Sequence, residues 1–263
     1  MTMTASELGN PSLPQGIGAR TLILTYGVVV YLLFFVRFTY IPIFLADVGP
    51  GPTVDHGWFA AATPAVAAAI NIGLMLLFGI QHLVMARRPF KQWLTTIMPE
   101  AAERTTFVLA STLVFIALFA FWQPIDAMVW DVGPLAARVA LFGVMLFGFL
   151  LALYASFLLN HFDLFGLRQV WLAFRGRPYS PVPFVKPTIY RHVRHPLQVG
   201  LLMMFWGAPT MTAGHLMLTV GMTIYILIGL WFEERDLVRQ HGETYEQYRR
   251  EVPKLLPLSF GRR

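Results

Sequence analysis

Long runs of apolar residues decide what this chain can fold into. Four stretches, from about Thr21 to Ala46, Pro64 to Ala86, Thr105 to Trp122 and Leu135 to Leu159, carry almost no charge. Most of them reach the roughly 20 residues that cross a hydrocarbon core of about 30 Å. A fifth region, Leu197 to Phe232, is longer than one ordinary span and is interrupted by Gly207-Ala208-Pro209 and Gly214, breakers that favour a turn. In lipid every backbone polar group must be satisfied within its own segment, so such runs are helices. The fold class expected is all-α: a polytopic membrane helical bundle of five to six transmembrane helices ending in a helical hairpin. It has five spans if one arm of the hairpin is short and six if both cross. With 56% apolar and 13% charged residues among 263, the composition is far from that of a soluble domain.

The order along the chain follows. Residues 1–20 form a polar N-terminal tail with Pro11, Pro14 and Gly16; residues 21–159 hold the N-terminal transmembrane helices; residues 160–263 hold a loop, the hairpin and a C-terminal tail. The first apolar run is too long for a signal-peptide core and is read as a retained helix. Cysteine is absent, which excludes disulfides, iron–sulfur clusters, thiolate zinc sites and a cysteine nucleophile. No glycine-rich phosphate loop, EF-hand or H-E-x-x-H element is present, and no metal is expected.

Charge orients the bundle. Segments 47–63 and 122–133 contain no Lys or Arg, only Asp47, Asp55, Asp126 and Asp131. Segments 87–104 and 160–196 hold Arg87, Arg88, Lys91, Arg104, Arg168, Arg175, Arg177, Lys186, Arg191 and Arg194, and the tail after Phe232 adds seven more basic residues. Basic loops stay on the cytoplasmic side, so both termini are expected in the cytoplasm, with the protein multi-pass in the cell inner membrane. The net charge of +6 is then that of loops resting on an anionic leaflet. No nucleic acid is expected as a partner, because no basic patch interleaved with aromatics lies on a soluble domain.

Three polar clusters gather at the expected cytoplasmic level: Gln81-His82, Asn160-His161-Phe162-Asp163, and Tyr190 to Pro196 facing Glu233-Glu234 across the hairpin. Ionisable groups at that depth line functional cavities. Each cluster also has a plainer reading. Arg194-His195-Pro196 makes an ordinary helix start, Glu233-Glu234-Arg235-Asp236 a solvated helix end, and Gln81-His82 or Asn71 an interhelical hydrogen bond.

Taken together, the clusters point further. The C-terminal third has Tyr190, Arg194-His195-Pro196 and Gly200, then Glu233-Glu234-Arg235-Asp236-Leu237, Gly242-Glu243-Thr244-Tyr245-Glu246-Gln247-Tyr248 and Val252-Pro253. In order and spacing this resembles the isoprenylcysteine carboxyl methyltransferase superfamily of integral-membrane enzymes. Gly79-Ile80-Gln81-His82, Met85-Ala86-Arg87, the run Asn160 to Gln169 and the run Phe205 to His215 extend the likeness over residues 64–257, and are similar to its bacterial methanethiol S-methyltransferase branch. There are two departures. Gln198 stands where the superfamily usually has Tyr, and Gly229 where prenylcysteine enzymes place the Arg that meets the substrate carboxylate.

The resemblance implies S-adenosyl-L-methionine as cofactor, held by Val185, Tyr190, Arg194, His195, Pro196, Leu197, Gln198 and Glu233, within a cofactor-binding catalytic region at 160–263. It implies a small thiol as substrate, methylated to a sulfide. A thiol must lose its proton before attack, and a buried His or carboxylate can take it. His161, Asp163 and His82 are the candidate bases, Asn160 a positioning group, and Arg194 a further catalytic candidate. Two other readings keep the scaffold: a lipid or isoprenylcysteine methyltransferase, and a non-enzymatic membrane protein of nitrogen-oxide metabolism.

Overall fold

In the computed structural model, which describes residues 16–61, 63–183 and 185–256, the apolar runs are helices. Five are long and apolar enough to cross a membrane: α1 (Ile17–Leu45), α2 (Pro64–Met85), α4 (Glu100–Phe121), α5 (Leu135–Leu158) and α9 (Ala213–His241). The protein is therefore a membrane protein of the all-α class. Residues 1–15 of the expected polar tail, and Arg262 and Arg263, lie outside the described residues. The shorter helices are α3 (Arg88–Ile97), α6 (His161–Leu164), α7 (Leu167–Phe174), α8 (Pro196–Trp206) and α10 (Glu243–Glu251), with a 3-10 turn at Thr188–Arg191.

Local chemistry sets most of the boundaries. The Thr63 hydroxyl accepts from the Val66 N–H and Pro64 fills the first position of α2; Thr212 accepts from the His215 N–H and starts α9. These are N-caps that satisfy otherwise unpaired donors. The third long helix begins at Glu100 rather than near Thr105, since Glu100 and Glu103 in its first turn complement the helix dipole. Sequence reading ends the fourth long helix at Leu159, closed by Asn160-His161-Phe162-Asp163, and in the structure α5 ends at Leu158. There Asn160 takes a left-handed conformation with φ 72°, and His161 opens a separate helix α6.

The hairpin is asymmetric. Its first arm, α8, has 11 residues, about 16 Å of helix, roughly half a hydrocarbon core. It lies antiparallel to α5 through small residues: a Cβ on Gly200 would strike backbone of Gly148 and Ala152, and one on Gly148 would strike backbone of Gly200 and Met204. Small residues let backbones approach where lipid gives no hydrophobic drive. Beyond α8 the buried Gly207-Ala208-Pro209 run leads into strand β2 (Thr210–Thr212), which pairs antiparallel with β1 (Met128–Asp131) in the register Asp131↔Thr210 and Met128↔Thr212. Irregular backbone at depth is tolerated because protein buries it. That strand pair, in a lysine-free segment read simply as a loop, closes the end of the bundle opposite the basic loops. Around it packs the main core, with Phe44, Leu118, Trp122, Met204 and Met211 wholly buried.

Candidate active site

At the other end, the mouth of the hairpin is organised by Glu234. Its Oε1 accepts from Arg194 Nε at 2.9 Å and Nη2 at 2.8 Å, and lies 3.1 Å from His195 Nε2. Lys254 Nζ is 3.2 Å from Oε2. The Arg194–Glu234 pair is shielded, with side chains 9% and 7% exposed. Arg194 also donates to the carbonyls of Arg249 and Val252, so its guanidinium ties α9, the start of α8 and the tail into one block. Beneath it Tyr245, Tyr248 and Val252 form a small buried cluster. Tyr248 donates to the Tyr190 carbonyl, and Tyr190 donates to the Ala155 carbonyl of α5 at 3.2 Å. Burial and the nearby Glu233 charge push the Tyr190 phenol up, and burial pushes Tyr248 up to about 12; both stay neutral hydrogen-bonding groups at physiological pH.

Glu233, one residue earlier, is different. It is exposed, and its one hydrogen bond among the described residues is a 3.4 Å contact from Gln198 Nε2. Beside it, Pro196 fixes the start of α8, and Leu197 and Gln198 present N–H groups without intrahelical acceptors. The side of His195 that faces Glu234 is occupied. Val185 is 46% exposed in the loop between α7 and the 3-10 turn.

The Asn160–Asp163 block is tightly held. His161 is 2% exposed; its Nε2 lies 3.0 Å from Tyr31 OH and its Nδ1 2.7 Å from Ser156 Oγ, and its ring stacks on Phe157 at 4.2 Å. Burial holds its pKa below the usual histidine range. Asp163 accepts from Arg168 Nη1 at 2.8 Å and from Tyr179 OH at 3.2 Å. Burial first and the Asp163 charge second raise the Tyr179 phenol, so it remains a donor. The half-buried side chain of Asn160 makes no hydrogen bond among the described residues.

Deeper in the bundle lies His82, from α2. Its Nδ1 is 3.3 Å from Ser111 Oγ, and its ring sits among Phe107 at 4.7 Å, Phe78 at 5.5 Å and Tyr225 at 5.7 Å. Nε2 has no hydrogen-bond partner among the described residues. Asn71, by contrast, is wholly buried and closed in a reciprocal pair with the Gln123 backbone at 2.7 and 2.9 Å, a structural contact.

Two groups were missed by sequence reading. Glu234 was grouped with Glu233, although only one of two neighbouring helical residues can face the Arg-His-Pro element. Arg37 was passed over inside α1, where it is the single charged residue between Thr21 and Ala46; a lone arginine in an apolar run is itself a signal. Its guanidinium carbon lies 5.2 Å from the Phe34 ring centroid and 4.7 Å from that of Phe115, rings 4% and 7% exposed. The half-buried side chain therefore sets its cation against two core rings. Cation–π contacts contribute about 0.5–2 kcal/mol, less than the several kcal/mol that desolvating an ion costs. Its Nε is buried without a partner, as is Gln81 Oε1, on the residue next to His82.

Comparisons with known proteins find relatives over most of the chain. The family model described as NnrU protein matches residues 70–261. The methanethiol S-methyltransferase of Mycobacterium tuberculosis is 45% identical, covering 90% of this chain and 97% of its own. Methanethiol S-methyltransferase 2 of Bradyrhizobium diazoefficiens is 45% identical over 93% of both chains. The methanethiol S-methyltransferase of Crocosphaera subtropica is 41% identical over 91% of this chain and 93% of its own. No solved structure matches.

Proposed function

The chain belongs to the family of the methanethiol S-methyltransferases, matched over 90% of its length, and on that premise we propose that it methylates methanethiol to dimethyl sulfide with S-adenosylmethionine. The observation that carries the reading is the division of labour at the hairpin mouth. Glu234 is built into the frame while exposed Glu233 faces the open start of α8. That mouth fits a zwitterionic donor: the N–H groups of Leu197 and Gln198 suit a carboxylate, and Glu233 suits an amine or ribose hydroxyls. Val185, Tyr190, His195 and Pro196 complete the cofactor wall, and Arg194 acts by holding Glu234 and the tail in place. When bound, the cofactor supplies an electrophilic methyl group on a sulfonium.

The rest is positioning and proton handling. Methyl transfer needs an aligned nucleophile and excluded water, which a site walled by Phe107, Phe78 and Tyr225 around His82 supplies. His82 is the base best supported by the geometry, because its Nε2 is open. The nitrogens of His161 are engaged and Asp163 is paired, so the Asn160–Asp163 block walls the thiol end of the site. Residues 160–263 form the cofactor-binding catalytic region and residues 21–159 bring His82 to it. The site opens to the cytoplasm from the inner membrane, with both termini cytoplasmic, and the apolar thiol arrives through the bilayer. Gly229 argues against a prenylcysteine substrate: a side chain there would meet nothing within 4 Å, so space exists but no cation for a carboxylate. Purified protein given methanethiol and S-adenosylmethionine should release dimethyl sulfide into the headspace. Calorimetric binding of S-adenosylmethionine with no sulfide formed would rule out this substrate, and no binding at all would rule out the enzyme.

A further inference from the structure

We propose that Arg37 is a catalytic residue, the group that binds the sulfur of the substrate as a thiolate anion at the membrane-embedded end of the site. This rests on the reading above. The observations are independent of the cofactor mouth. Arg37 lies against two buried rings, and among the described residues it has neither a hydrogen bond nor an ion pair. Arg37 is half-buried, with its Nε buried and unpartnered; a guanidinium has five donors, and in a membrane its charge needs a counter-ion. Among the described residues no carboxylate fills that role, which leaves the place for an anion that comes and goes.

The surroundings specify which anion. Phe34, Phe115 and Phe78 supply apolar contact, with Phe78 packed on Phe115 at 4.5 Å. The polar groups nearby are His82, whose ring lies 5.5 Å from that of Phe78, Ser111 beside it, the unpartnered Gln81 Oε1, and, beyond Phe107, Arg104, whose Nε already donates to the Leu164 carbonyl. A large hydrated anion such as phosphate would meet too few donors. A small, soft, weakly hydrated one fits, and a thiolate is of that kind. Tyr225 and Glu233 share α9, and the Tyr225 ring lies 5.7 Å from that of His82, so one helix joins the mouth to this level.

The step balances. The S–H bond of the thiol breaks, its proton passes to His82 Nε2 and then to water, and the electron pair stays on sulfur beside the Arg37 guanidinium. That pair would form the new sulfur–carbon bond as the methyl–sulfonium bond of the cofactor breaks, the electrons of the broken bond staying on the neutral thioether, S-adenosylhomocysteine, which leaves by the mouth. The charge on sulfur disappears as the sulfide forms, so the neutral product loses its hold on Arg37 and departs into lipid.

The experiment measures thiocyanate, a small soft anion, binding to purified cofactor-free protein. In parallel it measures thiocyanate as a competitor of methanethiol, and S-adenosylmethionine affinity by calorimetry. Arg37→Gln and Arg37→Met should weaken thiocyanate binding and raise the methanethiol KM at least tenfold, with cofactor affinity unchanged. Arg37→Lys, which keeps the charge, should retain much of the thiocyanate binding. Met fills the slot between the rings, so it serves if Gln fails to fold. Equal thiocyanate affinity in folded wild-type and Arg37→Met protein, or no saturable binding to wild type, overturns the proposal. Failure of the methyltransferase reading shows separately, as absent S-adenosylmethionine binding in the wild type.

Discussion

Adjacent glutamates at the hairpin mouth have opposite characters, and single substitutions separate them. Glu234→Ala leaves Arg194 and His195 without their buried counter-charge; breaking such a pair costs about 3–5 kcal/mol, and the melting temperature in detergent should fall accordingly. Glu233→Ala touches an exposed side chain. The fold should keep its melting temperature while S-adenosylmethionine affinity drops by about one to two decades, the loss of one charge-assisted hydrogen bond. Unchanged affinity in the folded variant removes Glu233 from the site. The same contrast separates the histidines. His82→Asn should lower turnover by about 10²–10⁴-fold, the usual worth of a general base, with part of the rate restored at higher pH, where free thiol ionises unaided. His161→Phe instead leaves the Tyr31 hydroxyl without its partner, while Ser156 keeps its bond to the Leu153 carbonyl, costing about 1–3 kcal/mol of stability and little turnover. A folded His161→Ala, Asp163→Asn double variant with turnover cut as deeply as in His82→Asn would move the base to α6.

Elements explain why much of this was readable from sequence and why some was not. Transmembrane helices announce themselves by length and composition, so α1, α2, α5 and α9 were legible, as was the breaker in the hairpin at Gly207-Ala208-Pro209. The pairing of β1 with β2 was not, because four exposed or half-buried residues, Met128–Asp131, carry no alternating pattern and gain their partner only when the hairpin folds. The site was legible as a set of motifs but not as contacts: sequence spacing places both Glu233 and Glu234 opposite His195, and only helix rotation chooses between them. The α5–α8 crossing makes a further test at this scale. Gly200→Leu would push a side chain into the backbone of Gly148 and Ala152, and overpacking of this kind costs about 1–3 kcal/mol. Gly229→Ala, in α9 with nothing within 4 Å, should do the opposite and gain roughly 0.5–1 kcal/mol of helix stability. Thermal melts of the two variants should shift in opposite directions; equal shifts would contradict the close crossing.

For the molecule as a whole, the two ends of the bundle are built for different tasks. One end is closed by the strand pair and the buried core around Trp122. The other carries Arg87 beside Asp236 at 3.8 Å, Lys91 beside Glu103 at 3.6 Å, and the Glu234 cluster. A charged cofactor made in the cytosol can reach only a site that opens there, while a small apolar thiol crosses lipid freely. Orientation therefore decides whether the site can work. The basic loops 87–104 and 160–196 against the lysine-free segments 47–63 and 122–133 are the basis for proposing that the hairpin mouth faces the cytoplasm. A reporter fused after Arg263 should be active only in a cytoplasmic format, and one inserted in segment 47–63 only in a periplasmic format. Periplasmic activity at Arg263 would put the mouth of the hairpin on the side where no S-adenosylmethionine is supplied, and the proposed reaction could not run.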